Sequence, residues 1–218
     1  MPASKPLSNP SPVAIKRLPW MRRLSFVSPK ASRLITLFSY ESLNLWSFIE
    51  SHSAITRFCE YPGYVFADDK RVLATFLVEG LQNRQYLVLQ DDIELVPEHP
   101  QRVSTFTQTD VFTVTKQWID PHQQWIQNWQ QINPYIVSNG RYVTPQMLAM
   151  VALLFSSPMA LFDAEQALQR QMERQLARTA IFMLLHQGKL ASDDLKTQAL
   201  SGATVFRAAI SGIQRSVT

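Results

Sequence analysis

Two pairs of aspartates are the residues of this chain whose positions suggest metal chemistry. Asp68 and Asp69 precede, and Asp91 and Asp92 follow, two apolar runs that a short polar turn separates. Carboxylate oxygens are the ligands that Mg²⁺ prefers, and a bound Mg²⁺ can activate water for hydrolysis. Such a site needs at least two carboxylates and a cation that converge. The alternative is that Asp68 and Asp69 form a turn and that Asp91 and Asp92 end a strand.

The other reactive side chains show no spacing typical of a catalytic or metal site. Cys59 is the single cysteine, so it forms no internal disulfide, and no histidine lies beside it in sequence. We expect a buried thiol in a reducing compartment, which makes the cytoplasm the expected location. The histidines are scattered along the chain, and we expect surface or packing roles for them. They are His52, His99, His122 and His186.

Positive charge is concentrated at the N-terminus. The 218 residues carry a net charge of +4, and residues 1–30 contribute +6 because they hold six basic residues and no acid. The remainder is therefore −2. Five prolines lie between Pro2 and Pro19, so we expect residues 1–30 to form a basic flexible arm that seeks phosphates. A solvated tail without a specific role is the alternative. No run approaches roughly 18 uncharged apolar residues, so no membrane partner is expected.

Hydrophobic periodicity then predicts an α/β region over residues 31–116. Residues 39–51 have helical spacing, and LATFLVE and QYLVLQ flank a short polar turn, which predicts a β-hairpin. VFTVT alternates like a further strand. Pro97 and Pro100 exclude a long regular helix between the hairpin and this strand.

Residues 117–218 have a helical pattern instead. Asp120 and Pro121 are typical of a helix start, and Gly188 is typical of a helix end. Short helices separated by glycine turns favour a winged-helix or helix-turn-helix relative, and a helical bundle that binds a protein partner fits equally well. The later predicted helices are Gln146–Phe155, Asp163–Gln187, a helix starting near Ser192 and a final helix from Ala203.

The order of these features resembles the TnsA family over roughly residues 25–210. The resemblance is carried by SPKASRLITLFSYES and the helix after it, ITRFCEYP, the hairpin LATFLVE and QYLVLQ, VFTVT, Asn128-Trp129 and LLHQGKL. Members of this family are restriction-endonuclease-like subunits of heteromeric transposases. The resemblance implies an N-terminal PD-(D/E)XK nuclease domain followed by a C-terminal helical winged-helix-like domain.

The family places its catalytic residues at positions that this chain fills differently. In the family the site consists of a glutamate on the first helix, an aspartate within a TPDF-like strand, and a glutamine or glutamate two residues before a lysine on the next strand. The carboxylates hold Mg²⁺, and the lysine steadies the attacking water or the phosphate. The corresponding residues here are Ser42, Thr75, Val88 and Gln90. Hydroxyl groups without a carboxylate are poor Mg²⁺ ligands, and glutamine supplies no positive charge. Glu41 lies beside Ser42, but one helical step turns a side chain by about 100°.

The resemblance and these replacements together predict an inactive nuclease-fold subunit that binds DNA and links a TnsB-like DDE transposase to a TnsC-like AAA+ ATPase. No cofactor is expected, and Mg²⁺ is expected only if the nuclease site is active. The residues predicted to contact DNA are Lys16, Arg17, Arg22, Arg23, Lys30 and Arg33. The residues predicted to contact a protein partner are Lys189, Lys196, Arg207 and Arg215. Two alternatives are an active transposon-end nuclease with relocated ligands and a winged-helix regulator.

Overall fold

The N-terminal half of the chain builds strands around one helix. The computed structural model describes residues 10–16, 18–80, 83–90, 95–107 and 109–209. The elements of this half, in chain order, are β1 (Leu24–Ser28), β2 (Arg33–Leu37), α1 (Tyr40–Ser51), β3 (Ile55–Glu60), β4 (Tyr64–Ala67), β5 (Lys70–Leu73), β6 (Phe76–Gly80), β7 (Arg84–Leu89) and β8 (Val111–Val114).

A mixed four-stranded sheet is the centre of this half. Its strand order is β3-β6-β7-β8. β6 is antiparallel to both β3 and β7, and β8 is parallel to β7. Phe76 and Leu87 pack in one apolar cluster with α1, whereas Leu77 and Val88 pack in a second cluster on the other face. Burial of both faces explains why these strands are continuous apolar runs. The predicted hairpin and the strand VFTVT are confirmed.

The predicted helix at residues 39–51 is confirmed as α1. Ser39 caps its N-terminus and accepts a hydrogen bond from the Ser42 amide, and the Ser42 hydroxyl meets the Ser39 amide in return. This reciprocal pair satisfies two backbone donors that a helix start leaves open. Leu45 and Ile49 are fully buried against the sheet.

The connection between β7 and the parallel strand β8 is unusual because such connections commonly contain a helix. In its described part, residues 95–107 and 109–110, the one helical turn is the 3₁₀ turn Pro100–Arg102. The prediction that the prolines exclude a long helix there agrees with this turn.

The segment before residue 31 is folded, which corrects the prediction of a flexible arm for its described part. β1 pairs with β2 along five residues, and Ile15 and Met21 are buried in the cluster that contains α1. The Val13 amide also donates to the Tyr61 carbonyl at 2.9 Å. Prolines exclude a helix but not extended backbone, so their presence did not imply an absence of structure. Residues 1–9 and Arg17 lie outside the described residues.

The C-terminal half is a helical layer that carries a small sheet. Its strands pair antiparallel in the order β10-β11-β9. Its elements, in chain order, are α2 (Lys116–Ile119), α3 (Gln123–Asn139), α4 (Pro145–Leu154), β9 (Met159–Ala160), α5 (Leu161–Leu168), α6 (Arg174–His186), β10 (Leu190–Ala191) and β11 (Val205–Ala208), with 3₁₀ turns at Asp120–His122, Gly140–Tyr142 and Asp194–Lys196.

Three predictions for this half need correction. The single helix over residues 163–187 is two helices, α5 and α6, separated by residues 169–173. The helix near Ser192 is only the 3₁₀ turn Asp194–Lys196, and the final helix from Ala203 is the strand β11. In the last of these segments helical propensity is overridden because β11 pairs on both sides, with β9 and with β10. The predicted helix at residues 146–155 is confirmed as α4.

The two halves pack closely against each other. Trp125 donates its indole N–H to the Ser51 hydroxyl at 2.7 Å, and Gln130 donates to Asn44 at 3.1 Å. Ile119 and Ile126, although they follow residue 116, belong to the cluster that contains α1. The packing of the N-terminal core therefore continues past the predicted domain boundary.

Candidate functional site

Ser42, which the resemblance predicts to replace the family's first carboxylate, is part of the capping of α1. Its side chain is fully buried, and its hydroxyl donates to the Ser39 carbonyl at 2.9 Å. The two hydroxyl oxygens lie 3.0 Å apart. Within the described residues, the contacts of this hydroxyl therefore lie in the first turn of the helix. Glu41 lies beside it but is exposed to solvent.

Thr75 joins three strands of the sheet. Its Oγ1 accepts a hydrogen bond from the Leu89 amide at 3.1 Å, and its own amide donates to the Leu87 carbonyl at 2.8 Å. Its carbonyl accepts from the Tyr61 amide at 2.9 Å. The Thr75 side chain, which the resemblance predicts to replace an aspartate, is buried and makes a structural contact.

The end of β7 lies beside Thr75, but its side chains have no metal-binding character. Val88 is buried in the apolar cluster that also contains Cys59 and Tyr86. Gln90 is exposed, and its amide donates to the Val114 carbonyl at 2.9 Å, which extends the pairing of β7 with β8. The structure thus brings Thr75 and residues 88–90 together without any carboxylate among them.

The aspartates that could serve as relocated ligands are only partly described. Asp68 and Asp69 have φ angles of 48° and 60° and form the exposed turn between β4 and β5. The turn that was the alternative prediction for Asp68 and Asp69 is therefore confirmed. Aspartate tolerates the left-handed region that such a turn requires. Asp91 and Asp92 lie outside the described residues. Among the described residues, no group of three or more His, Cys, Asp or Glu side chains could hold a metal ion.

Cys59 is a buried free thiol, as expected. Burial raises its pKa to about 12, and the nearby carboxylate of Glu60 acts in the same direction. The thiol is therefore protonated near neutral pH and is a poor nucleophile.

Three of the predicted DNA-contacting residues are exposed cations. Lys16 and Arg23 have no side-chain partner among the described residues, although the Lys16 amide donates to the Val96 carbonyl at 2.8 Å. Arg22 donates to the Tyr40 hydroxyl at 2.6 Å and lies over the ring of that tyrosine. Arg17 lies outside the described residues.

Lys30 and Arg33, the other two, are held by the fold. The Lys30 ammonium donates to the carbonyls of Ile49 and His52 at 2.7 and 2.9 Å, which caps the C-terminal end of α1. Burial lowers the pKa of Lys30 to about 8, against the opposing effect of the Glu50 carboxylate. Arg33 forms a two-pronged ion pair with the buried Glu60.

A cavity of about 250 Å³ opens beside these two cations. Arg57 and Glu79, which are paired across β3 and β6, also line it, and Cys59 lies in its wall. Arg57 is exposed and has no side-chain partner among the described residues. Sequence reasoning missed Arg57 because an isolated arginine in a strand carries no signal until the fold brings it near the β1–β2 turn.

The predicted partner-contacting cations are mostly neutralised. Lys196 and Arg207 both pair with Asp193, at 2.8 and 2.9 Å, and their hydrogen bonds lower the pKa of Asp193 to about 2. Lys189 is exposed and has no side-chain partner among the described residues. Arg215 lies outside them.

Helix α6 is enclosed by other helices. None of its residues from 176 to 186 is exposed, and it packs in the C-terminal core with α3, α4 and α5. Arg174 and Arg178 project from its first half, but both pair with the buried Glu165 of α5, at 2.6 and 2.5 Å. The helix therefore has little surface that could enter a DNA groove.

Helix α4 differs from α6 because it exposes apolar side chains at the surface. No charged residue occurs from 142 to 162, and Met150 and Leu153 are 40% and 80% exposed. Exposed apolar surface of this kind is typical of a protein contact.

Neither a scan against protein-family models nor a search of curated proteins finds a match for this chain. No helix in the described ranges combines the length and hydropathy needed to cross a membrane. A function for this chain therefore has to be inferred from its own residues and geometry.

Proposed function

We propose that this chain is a TnsA-like transposition protein, an inactive restriction-endonuclease-like subunit that binds DNA and links a DDE transposase to an AAA+ ATPase. The observation that carries the proposal is the hydrogen bond from the Leu89 amide to Thr75 Oγ1. It lies in the mixed sheet at the position where the family holds its metal ligands. The frame of a nuclease site is retained, and a neutral structural contact occupies its centre.

The order of elements in the C-terminal half supports a winged-helix-like domain. A helix, a short strand and two helices are followed by two strands, and the first strand pairs with the last one. In DNA-binding relatives of this kind a helix enters the major groove. The burial of α6 favours a docking role for the domain over the alternative of a sequence-reading regulator.

The DNA contacts of the proposed protein come from the N-terminal region. Lys16, Arg22 and Arg23 are exposed cations, and Arg17 lies among them in sequence. Contacts of this type are made to phosphates, so binding depends strongly on salt and weakly on base sequence.

The protein partners of the proposed function dock on the C-terminal half. Lys189 and Arg215 remain candidates for contacts with a protein partner. Lys196 and Arg207 both form ion pairs with Asp193. The uncharged surface of α4 adds an apolar contact that the charged residues lack.

The loss of nuclease chemistry has a consequence for transposition. Either the element moves by a replicative route, or another subunit cleaves the strand that this protein does not. An active nuclease with relocated ligands stays a second candidate because Asp91 and Asp92 could supply two carboxylates. Asp68 and Asp69 are less suited to this role because they form an exposed turn. The proposed location is the cytoplasm, where the free thiol of Cys59 would stay reduced.

A plasmid-nicking assay tests the inactivity of the proposed subunit. Supercoiled plasmid is incubated with the protein in Mg²⁺ or Mn²⁺, with and without the transposase. We expect no nicking by this chain in either metal. Nicking that disappears when Asp68, Asp69, Asp91 and Asp92 are replaced by alanine would establish the relocated site instead.

A binding assay tests the DNA and partner roles. Duplexes of unrelated sequence should bind with similar affinity, and the affinity should fall steeply between 50 and 200 mM salt. We expect neighbouring reading frames to encode a DDE transposase and an AAA+ ATPase, and these two should form a ternary complex only when this chain is present. Sequence-specific binding by residues 140–218 alone would support the regulator.

A further inference from the structure

The cavity beside the β1–β2 turn contains three cations from separate parts of the fold. Lys30 and Arg33 enter from the turn and β2, and Arg57 enters from the edge strand β3. Its wall is formed in part by Cys59 and Leu77, which are paired across β3 and β6. The cavity is therefore lined by charged residues and by the apolar side chains of Cys59 and Leu77.

Two of these cations are positioned in advance and keep unused donors. An ammonium group has three N–H donors, and Lys30 uses two of them on the carbonyls of Ile49 and His52. A guanidinium has five, and Arg33 uses three, on Glu60 and on the Leu34 carbonyl. Because these contacts fix the side chains, little conformational entropy is lost when a ligand accepts the remaining donors.

Arg57 supplies charge that the fold does not neutralise. The one carboxylate in the cavity lining, Glu79, forms an ion pair with Arg84 at 3.4 Å. Arg33 is balanced by Glu60. Arg57 has no such partner among the described residues, so the cavity keeps an excess of positive charge.

We propose that this cavity binds a phosphoryl group. A phosphoryl group offers several acceptor oxygens around one centre, which suits a cavity lined by cationic residues from three separate parts of the fold. The buried thiol of Cys59 in the lining is protonated near neutral pH and is not expected to attack the bound group. The phosphate backbone of DNA is the source if the proposed function holds, on which that part of the inference rests. A free phosphate compound is the other source.

Two matched variants test the proposal. Arg57→Gln removes the unpaired charge in the cavity, and Arg102→Gln removes an exposed arginine from the 3₁₀ turn outside the cavity lining. Both arginines lack side-chain partners among the described residues, so both variants should fold. Inorganic phosphate is titrated by ³¹P NMR, and a labelled 20-bp duplex is titrated by anisotropy. Both titrations use the full chain at fixed ionic strength.

We expect Arg57→Gln to weaken phosphate binding about tenfold and Arg102→Gln to leave it unchanged. If the DNA backbone is the ligand, phosphate competes with the duplex, and Arg57→Gln weakens duplex binding more than Arg102→Gln does. Phosphate binding that needs Arg57, in a protein that does not bind the duplex, supports the cavity and removes the DNA part of the proposed function. Duplex binding that falls equally in both variants, without phosphate binding, overturns the cavity and leaves the proposed function standing. The absence of binding to either probe overturns both.

Discussion

Thr75 accepts a hydrogen bond from the Leu89 amide at 3.1 Å and thereby joins the start of β6 to the end of β7. A carboxylate at this position would have to turn toward a metal ion, and the Leu89 amide would then lose its partner. Val88, next to Leu89, is buried on the apolar side of the sheet. These contacts make Thr75 and Val88 part of the sheet structure, so under the proposed function more than one ligand position has changed.

Restoring the family's side chains should not restore the chemistry. We expect a triple variant, Ser42→Glu, Thr75→Asp and Gln90→Lys, to show neither Mg²⁺ binding nor nicking. Ser42 is fully buried and caps α1, so Ser42→Glu alone should lower the free energy of unfolding by about 3 kcal/mol. Calorimetric Mg²⁺ titration and urea unfolding measure these effects.

The exposed neighbour Glu41 provides the control for this experiment. Glu41→Gln should change the free energy of unfolding by less than about 1 kcal/mol. Mg²⁺-dependent nicking by the triple variant would contradict the view that the surroundings of the ligands have also changed.

The elements that sequence reasoning found are those with strong periodicity. α1 has a cap and a continuous apolar face, and β6 and β7 are apolar on both sides of a polar turn. β1 was missed because five residues of alternating pattern lie beside a proline-rich segment. β11 was missed because Ala203, Ala208 and Ala209, in and around it, favour a helix, and only its pairing with two other strands reveals it.

Charge alone was a poor guide to the site. Lys30 and Arg33 were predicted to contact DNA, but the Ile49 carbonyl that accepts from the Lys30 ammonium and the Glu60 carboxylate that pairs with Arg33 lie 19 and 27 residues away in sequence. Local patterns cannot show a contact that tertiary packing creates. The same limit hid Arg57, whose importance depends on the position of the β1–β2 turn.

Glu50 should be the most sensitive acidic residue for stability. It is fully buried and accepts hydrogen bonds from the Ser28 hydroxyl at 2.6 Å and the Lys30 amide at 2.7 Å, and it meets His186 of α6 at 3.0 Å. We expect Glu50→Ala to lower the free energy of unfolding by about 3 kcal/mol, since it leaves these groups buried without a partner. Urea unfolding measures the loss, and Glu41→Ala, on the exposed side of the same helix, is the control.

The pH dependence of the Glu50 effect has a defined sign. Burial acts to raise the pKa of Glu50, but the hydrogen bonds from His186, Ser28 and Lys30 together lower it. A carboxyl with a lowered pKa stabilises the fold above its unfolded pKa, and this stability is lost as the pH falls through the folded value. The difference between the wild type and Glu50→Ala should therefore shrink below about pH 4.5. A difference that does not vary with pH would contradict this assignment.

Lys30 should make the protein more stable as the pH rises above 8. Its pKa is lowered from 10.5 to about 8 by burial, so between these values the unfolded chain binds more protons than the folded one. The free energy of unfolding then increases with pH, on the order of 2 kcal/mol across this range. Urea unfolding at pH 7 to 10 should show this increase in the wild type and not in Lys30→Met. Lys70→Met, at the exposed β4–β5 turn, should keep it, and equal slopes in all three proteins would exclude Lys30 as the cause.

Gly188 ends α6 and also lies at the contact between the two halves. Its φ of +69° and the hydrogen bond from the Lys189 amide to the Leu184 carbonyl at 2.9 Å form the predicted helix end. A Cβ atom there would lie 2.7 Å from the Cβ of Ser53, in the loop after α1. We expect Gly188→Ala to lower the free energy of unfolding by about 2 kcal/mol or more, from backbone strain and from this clash.

Two further variants separate the causes of the Gly188 effect. Gly140→Ala, after α3, should be neutral or stabilise by up to about 1 kcal/mol, because its φ is −56° and a Cβ would meet Met183 at 3.6 Å, an ordinary contact. Combining Gly188→Ala with Ser53→Gly should recover the part of the loss that comes from the clash and leave the part that comes from the backbone. If the double variant recovers nothing, the loop after α1 does not constrain the end of α6, and the two halves are held together by the Glu50 and Trp125 contacts without it.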